Sequence, residues 1–238
     1  MGKNTQTGGR DATVAVVPGD FGVSIGNPGT PTPAGFEWRP LSSLARLESG
    51  HTPSRKKPEY WDGGTIPWIG IRDATGNHGR TIFDTQQHVT QSGIDNSSAR
   101  VLPADTVCLS RTASVGYVVT MGAPMATSQD FVNWVCGPEL DHRYLHYLLM
   151  AEQASVRKFA YGSVHQTLYY PDAKALHVCV PHLEEQQRIA SVLVALDDLI
   201  ETDRQAIQSI DSQAEAIFER SMAESESVEV VTLSQLDD

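Results

Sequence analysis

Residues 181–201 have the sequence PHLEEQQRIASVLVALDDLIE and follow directly on LHVCV, an apolar, strand-like run at residues 176–180. Neither Gly nor Pro occurs after Pro181, so the sequence offers no signal that would end a helix beginning here. A helix that only completed a globular core would be expected to end soon. This helix must therefore bury its apolar stripe against another surface, and that surface has to be identified.

The apolar residues beyond Glu184 recur at alternating steps of four and three, which is the pattern of a coiled coil. An Asp occupies one seam position, and this is unfavourable unless it selects register or partner. The spacing predicts an association helix over residues 183–224, with a surface helix that has an ordinary wet face as the alternative. Ala214 completes the pattern, and the interface residues are Ile189, Leu193, Leu196, Ile200, Asp203, Ile207, Ile210 and Ile217.

Charge is distributed unevenly along the chain, whose formal net charge is −11. Residues 183–238 contain 14 acidic residues and three basic ones, Arg188, Arg204 and Arg220, which accounts for the whole excess. An acidic chain argues at first against a nucleic-acid partner. Residues 1–182 are neutral, however, and can carry a local basic surface at residues 55–57.

The composition, 40% hydrophobic and 20% charged, is that of a soluble globular protein. No stretch approaches the roughly 20 apolar residues that span a bilayer, and residues 1–10 lack the apolar segment of a secretory signal. The expected location is the cytoplasm. Cys108, Cys136 and Cys179 are odd in number and lie in apolar runs, so we expect buried free thiols.

The chain divides into four predicted segments. Residues 1–34 are rich in Gly, Pro and Thr and are expected to form a flexible arm, with order beginning near Trp38. Residues 38–50 are predicted to contain a short helix, and residues 65–135 contain short β-type runs between turns. Residues 141–160 are predicted to form an amphipathic helix capped by Asp141. Residues 35–182 should form one α+β domain with a compact mixed or antiparallel sheet, followed by the helix and a tail at residues 225–238.

Catalytic motifs are missing from the sequence, which has no G-x-G-x-x-G, no Walker-type Gly-Lys-Ser/Thr and no adenine-binding tetrad of amino-methyltransferases. His142 and His146 lie one helical turn apart and could share a metal ion. No third ligand has a suitable spacing, so a solvated helix edge is favoured. We expect no catalytic residues and no metal site.

Three polar loops combine hydroxyl, cationic and aromatic side chains, a mixture that suits contacts with phosphates and base edges. Taken singly, each is typical of a solvated loop, but together they predict a binding face on a rigid sheet. Residues 50–64 contribute Thr52, Ser54, Arg55, Lys56, Lys57, Tyr60 and Trp61. The second and third loops contribute Ser110, Arg111, Thr112, Ser114, Tyr161, Ser163, His165 and Gln166.

These loops belong to an ordered series of motifs: GHTPSRKKPEYWDGGTIPWIGIRD, HVTQSGIDNSSARVLPADTVCLSRTASVG, ATSQDF and KFAYGSVHQTLYYPDAKALHVCVPHLEEQQRIASVLVALDDLIE. In this order they resemble the target-recognition domain and spacer helix of the DNA-specificity subunit of Type I restriction-modification systems. The resemblance covers about residues 38–220 and includes Pro-x-Leu-x-Glu-Gln-x-x-Ile at residues 181–189. Two of its motifs add Arg72 and Gln129 to the candidate DNA contacts.

The resemblance implies a sequence-recognising subunit that is not itself an enzyme. In this family the recognition domain binds one half of a bipartite site on double-stranded DNA, and the helix pairs with a second such helix to set the spacing. The helices also dock adenine-methyltransferase (modification) subunits and, through them, the restriction subunit. No cofactor is expected on this chain; S-adenosylmethionine and ATP with Mg are expected on the partner subunits.

Family subunits usually carry two recognition domains and two helices, whereas this sequence contains one of each. The tail VEVVTLSQLDD at residues 228–238 echoes FEWRPLSSLAR at residues 36–46, as if a second repeat began there. A half-length subunit or a fragment is therefore expected. Its helix should pair with a second specificity chain, most simply as a homodimer with antiparallel packing of residues 183–222.

Two other interpretations compete with DNA recognition. An interaction or regulatory protein could keep this fold without recognising DNA, as the acidic charge and the long arm would allow. A free-standing enzyme is supported by little beyond His142 and His146.

Overall fold

The structure is a computed structural model that describes residues 16–160 and 166–226, with side chains described as far as Met222. The strands of this part are β1 (Val17–Pro18), β2 (Val23–Ile25), β3 (Phe36–Pro40), β4 (Ala45–Ser49), β5 (Ile66–Ile69), β6 (Arg80–Ile82), β7 (His88–Val89), β8 (Val107–Ser110), β9 (Val118–Met121), β10 (Ala126–Thr127), β11 (Phe131–Cys136) and β12 (Leu176–Pro181). The helices are α1 (Leu41–Leu44), α2 (Ile71–Gly76), α3 (Gln91–Asp95), α4 (His142–Ala151), α5 (Gln153–Phe159), α6 (Tyr170–Lys174) and α7 (Leu183–Glu226), with a 3₁₀ turn at Pro58–Tyr60.

The strands form three sheets of mixed direction. A five-stranded sheet has the order β4-β11-β8-β9-β6, a four-stranded sheet β1-β2-β12-β3, and a three-stranded sheet β10-β5-β7. Only β10 with β5 and β6 with β9 pair in parallel among these strands. The predicted α+β class with a mixed sheet is confirmed.

Three apolar clusters hold the sheets and helices together. The largest joins β2, β11 and β12 to α4 and α5 and includes Trp134, Leu145, Phe159 and Val178. A second cluster lies around Met121 and Phe131 in the five-stranded sheet. The third consists of Trp68, Val89 and Ala126 in the three-stranded sheet. Trp61, in the loop of residues 50–64, packs against it. The polar loops therefore start from a packed base.

The prediction of a flexible arm over residues 1–34 is wrong for residues 17–25. They form β1 and β2, which extend the sheet through pairing of β2 with β12. The connecting loop is held by the buried carboxylate of Glu152, which accepts hydrogen bonds from the backbone amides of residues 20–23. Order thus begins well before Trp38. Residues 1–15 lie outside the described residues, as do residues 227–238 of the predicted tail.

The short helix predicted over residues 38–50 is mostly strand. Only Leu41–Leu44 is helical, and β3 and β4 flank it. Leu41 and Leu44 are buried, but Leu47 lies opposite Trp134 in the pairing of β4 with β11. Non-local pairing therefore outweighs the helical spacing of the leucines. The converse applies at residues 91–95, where a β-type run forms α3.

The amphipathic helix predicted over residues 141–160 is present, but it is interrupted at Glu152, where α4 ends and α5 begins. Asp141 caps α4 as expected, because its side chain accepts from the amides of Arg143 and Tyr144. The prediction that His142 and His146 lie on a solvated helix edge is wrong for His146. It is buried, with its Nδ1 2.8 Å from the Thr120 hydroxyl. Across the residues described, no cluster of potential metal ligands occurs.

Replacing Asp141 by alanine is expected to lower the free energy of unfolding by about 1–2 kcal/mol, because the helix loses its cap. Burial raises the pKa of Asp141, but hydrogen bonds from the Arg143 side chain and from the amides of Tyr144 and Arg143 outweigh it and hold the pKa below its ordinary 3.8. The carboxylate therefore contributes its full stabilisation above about pH 4 and loses it as the pH falls through the lowered value. Urea denaturation from pH 7 to pH 3 should show the wild type and the variant converging at acid pH.

Helix α7 begins on the domain. The buried side chain of Gln186 accepts from the amide of Asp141 at 3.0 Å and donates to the carbonyls of Pro181 and Glu139 at 2.9 and 3.1 Å. Ala190 is buried, and Ile189 packs against the main core. Ile189 therefore contacts its own domain, which corrects its assignment to a partner interface.

The described part of the chain forms two compact units, which divide between Ala190 and Ser191. In the second unit the helix exposes a series of large apolar side chains. They are Val192, Leu196, Leu199, Ile200, Ile207, Ile210, Ile217, Phe218 and Met222. Leu193 is half-buried, and Asp203 is exposed within this series.

The three cysteines are free thiols. Cys108 and Cys179 are buried and Cys136 is half-buried. Burial raises the pKa of Cys136 to about 12. These thiols stay protonated at neutral pH, which fits the expected inert role. Among the described helices, none is long and apolar enough to cross a membrane.

Candidate nucleic-acid interface

The loop of residues 50–64 is attached directly to the loop of residues 128–130. The amide of His51 donates to the carbonyl of Thr127 at 2.9 Å, and the Thr52 hydroxyl donates to Oε1 of Gln129. At Gly50 an added Cβ would lie 1.9 Å from the Ser128 carbonyl oxygen. Only glycine permits this approach, so the backbone fixes the relation of the two loops.

Arg111 connects its own loop, residues 111–114, to the loops of residues 128–130 and 166–168. Its amide donates to the carbonyl of Asp130 at 2.7 Å, and its Nε donates to the carbonyl of Gln129 at 3.0 Å. Its own carbonyl accepts from the amide of Leu168 at 2.8 Å, and the hydroxyls of Thr112 and Thr167 lie 3.1 Å apart. Residues 50–64, 111–114, 128–130 and 166–168 thus form one continuous surface, which we call the loop face.

Arg55 is the most constrained cation of the loop face. Its guanidinium carbon lies 3.5 Å from the ring centroid of Trp61 and 4.9 Å from that of Trp68. Its Nη2 donates to Oε1 of Gln87 at 2.7 Å. Partial burial lowers the pKa of Arg55 below its ordinary value, although the residue remains exposed.

Lys57 is held differently. Its Nζ donates to the hydroxyl of Tyr60 at 2.8 Å and lies 4.8 Å from the centre of that ring. This hydrogen bond raises the pKa of Lys57. Tyr60 itself is only 5% exposed. It supports Lys57 rather than presenting an aromatic face, which corrects its assignment as a direct DNA contact.

One other predicted contact lies inside the domain, and another has no bond to the loop face in the part of the chain that the structure describes. Ser110 is fully buried, donating to the carbonyl of Ser114 and accepting from the amide of Tyr117, so it braces the loop from below. Arg72 lies exposed in the first turn of α2, and among described residues no hydrogen bond or ion pair joins it to the loop face. Tyr161, Ser163 and His165 lie outside the described residues.

The remaining predicted residues lie on the loop face. Gln129 and Gln166 are exposed, as are Ser54 and Lys56. Thr52, Arg111, Thr112 and Ser114 are half-buried, and Trp61 is half-buried beneath Arg55. Sequence reasoning missed Gln87 and Thr167, which hold Arg55 and Thr112. Trp68 was missed as well. Its place in an apolar run close to Trp61 in the sequence was a signal that aromatic rings support the loop.

The cations of the loop face differ in their pairing from five basic residues elsewhere in the domain. Arg39, Arg46, Arg100, Arg143 and Lys158 each form a salt bridge with a carboxylate. Throughout residues 16–160 and 166–226, no carboxylate lies within salt-bridge distance of Arg55, Lys56, Lys57 or Arg111. Instead, neutral oxygens accept hydrogen bonds from Arg55, Lys57 and Arg111. Glu59 attracts Lys57 at longer range, but none of the four cations is paired with a described carboxylate, so they remain available to phosphates.

Comparison with known proteins places the chain in a family. Residues 33–212 match the model described as "Type I restriction modification DNA specificity domain". The Type I restriction enzyme MjaIX specificity subunit of Methanocaldococcus jannaschii is 30% identical over 78% of this chain and 43% of the relative. The EcoR124I/EcoR124II specificity subunit of Escherichia coli is 28% identical over 68% of this chain and 41% of the relative. The chain spans less than half the length of both.

Solved structures agree on the fold. The HsdS subunit from Thermoanaerobacter tengcongensis superposes with a TM-score of 0.58 at 19% identity, over 76% of this chain and 42% of that one. The S subunit from M. genitalium gives 0.51 at 19% identity, over 70% and 40%. Both curated relatives are specificity subunits, in agreement with the resemblance of the motifs. The chain belongs to the family of Type I restriction modification DNA specificity domains.

Proposed function

We propose that this chain recognises one half of a bipartite site on double-stranded DNA, as a specificity subunit in the cytoplasm. The observation that carries the proposal is the set of cations on the loop face, Arg55, Lys56, Lys57 and Arg111, which have no carboxylate partner among described residues. They lie on loops fixed by backbone hydrogen bonds and accompanied by exposed glutamines. Phosphate contacts supply affinity, and amide and guanidinium groups supply contacts to base edges.

The second part of the proposal concerns α7. Its exposed apolar side chains at residues 192–222 would be covered by the same helix of a second specificity chain, packed antiparallel as a homodimer. The two recognition domains would then contact two half-sites at a fixed spacing. The paired helices would also dock the adenine-methyltransferase subunits and, through them, the restriction subunit. In this assembly S-adenosylmethionine and ATP with Mg belong to those partners.

Methylome sequencing tests the proposed function. A host that expresses this chain with its methyltransferase partner should show methylated adenines in a bipartite motif, and deletion of the chain should abolish the methylation. A homodimer predicts two identical half-sites in inverted orientation. An unchanged methylome after the deletion, in a host where the methyltransferase is demonstrably active, would contradict the proposal.

An interaction protein without DNA recognition is the second candidate, favoured by the net charge of −11. The two candidates differ in how DNA binding depends on salt. A specificity subunit should bind its motif with an affinity that falls steeply as salt rises. The logarithm of the binding constant, plotted against the logarithm of salt concentration, should have a slope of about −0.9 for each phosphate contact. The alternative predicts no motif-dependent binding at any salt concentration.

A further inference from the structure

The Arg55 side chain is held by two independent restraints. Stacking on Trp61, with the guanidinium carbon 3.5 Å from the ring centroid, restrains the plane of the group. The hydrogen bond from Nη2 to Gln87 Oε1, at 2.7 Å, restrains its rotation within that plane. A long arginine side chain on a surface loop ordinarily keeps much of its rotamer freedom. Here the geometry of the donors is set in advance.

The groups that hold Arg55 are themselves anchored. Trp61 donates through its indole Nε1 to the carbonyl of Ser54 at 3.3 Å, and Trp68 donates through Nε1 to the carbonyl of His51 at 3.1 Å. The amide of Trp68 also donates to the carbonyl of Gln87 at 3.0 Å. Arg55, the two indoles and Gln87 therefore form a single unit, which we call the arginine stack. Ordering of this unit occurs on folding rather than on binding, which favours affinity and selectivity.

The arginine stack leaves most donors of Arg55 available. A guanidinium has five N–H groups, and Gln87 accepts from one nitrogen. Gln87 is neutral, and no carboxylate within the described ranges lies at salt-bridge distance, so the charge of Arg55 is also available. A phosphate contact needs a cation but no fixed plane. A bidentate contact with the O6 and N7 acceptors of guanine needs both, and Arg is the residue that makes it most often.

Lys56 provides the contrast on the same loop. It is exposed and has no hydrogen bond or ion pair in the described part of the chain. Such a mobile cation suits a phosphate, whose position it can follow. Adjacent positions of one loop thus carry a free cation and a restrained one.

We propose that Arg55 is a specificity-determining residue that recognises a guanine in the major groove, and that Gln87 is its positioning residue. The inference rests on the proposed function of the loop face and adds to it one base of the recognised half-site. A Gln at position 87 sets which edge of the guanidinium faces the DNA. Lysine at position 55 would retain the charge but would lose the planar group that stacks on Trp61 and fixes the directions of the donors.

The test uses the assembled chain and methyltransferase with a DNA duplex containing the motif from the methylome. Wild-type protein should prefer guanine over other bases at one position by about 10- to 100-fold in affinity. Replacing that guanine by 7-deazaguanine removes N7 without altering base pairing, and should weaken wild-type binding about 10-fold. Arg55→Lys should reduce the preference to a few-fold and should respond less to 7-deazaguanine than the wild type does. Gln87→Leu should also reduce it, whereas Gln87→Glu, which keeps an acceptor, should retain the preference but weaken binding to all sequences, because its carboxylate compensates the charge of Arg55.

Lys56→Gln is the matched control. It should weaken binding to all sequences alike, reduce the salt slope by about 0.9, and leave the preference for guanine unchanged. Tryptophan fluorescence and thermal melting verify that each variant folds.

Two results would overturn the inference while leaving the proposed function intact. One is a motif in which no position other than the methylated adenine has a guanine on either strand. The other is an Arg55→Lys variant that binds every sequence proportionally more weakly. A methylome that does not depend on this chain would instead remove the proposed function, and the inference with it.

Discussion

Replacing Glu152 by alanine is expected to lower the free energy of unfolding by about 3–5 kcal/mol. The carboxylate is fully buried and accepts from four backbone amides, those of Asp20, Phe21, Gly22 and Val23, at 2.6–3.0 Å. Without it the amides of Phe21, Gly22 and Val23 lose this acceptor, whereas the amide of Asp20 still donates to Ser155 Oγ at 3.0 Å. Each such loss costs about 1–3 kcal/mol unless water enters. This side chain therefore reinforces the attachment of β1 and β2, which the pairing of β2 with β12 also provides.

Urea denaturation followed by circular dichroism measures the effect. Glu152→Gln keeps one oxygen acceptor but turns an amide group toward the backbone donors, so an intermediate loss is expected. Glu215→Ala removes an exposed glutamate from α7 and should change the free energy by less than about 0.5 kcal/mol. Limited proteolysis should cut residues 16–25 earlier in Glu152→Ala than in the wild type. A loss below about 1 kcal/mol in that variant would show that the carboxylate is not required.

Glu152 also illustrates what the sequence could not reveal. Residues 1–34 have the Gly, Pro and Thr content of a flexible arm, and their first described part is ordered by a residue about 130 positions away. Composition reports local preference, whereas this loop is held by a non-local acceptor. A single glutamate at the junction of two helices gives no sign in the sequence that it binds backbone amides.

Elements governed by local periodicity were predicted well. The long helix, the strand before it and the Asp141-capped helix all follow from residue spacing and capping chemistry within each segment. Residues 38–50 were predicted wrongly because leucines three apart fit a helix. Pairing with β11 decides the structure of residues 45–49. The sequence also did not show which strands pair in parallel and which pair antiparallel.

The candidate site was predicted as a set of loops but not as an arrangement. Residue types alone selected Arg55, Trp61 and Arg111, which the structure brings to one face. They also selected Ser110 and Tyr60, because hydroxyl and aromatic groups do not show in a sequence whether they point inward. Gln87 was missed since it lies in TQQH, a polar run without charge or aromatic residues, at the far end of a loop that returns to β5.

Introducing aspartate at both Ile200 and Ile207 is expected to convert the proposed homodimer to monomers. These side chains are 45% and 58% exposed in the single chain, although their positions repeat at the coiled-coil interval. Burial of an isoleucine contributes about 1.5–3 kcal/mol, and the double variant removes four such side chains from each dimer. Facing aspartates add repulsion and the cost of desolvation. The dissociation constant should rise by at least about 1000-fold.

Sedimentation equilibrium at micromolar concentration distinguishes the two states by mass. Gln205→Asp is the matched control, because residue 205 lies on the helix face opposite the seam and an aspartate there should leave the dimer intact. Circular dichroism and urea denaturation should show that residues 16–190 remain folded in the double variant, so that a lost dimer is not a lost domain. If the helix spaces two half-sites, the double variant should also lose methylation of the bipartite motif while DNA bearing one half-site is still bound weakly. A wild-type mass equal to one chain would contradict the homodimer, and an unaltered methylome in the double variant would show that the helix does not set the spacing.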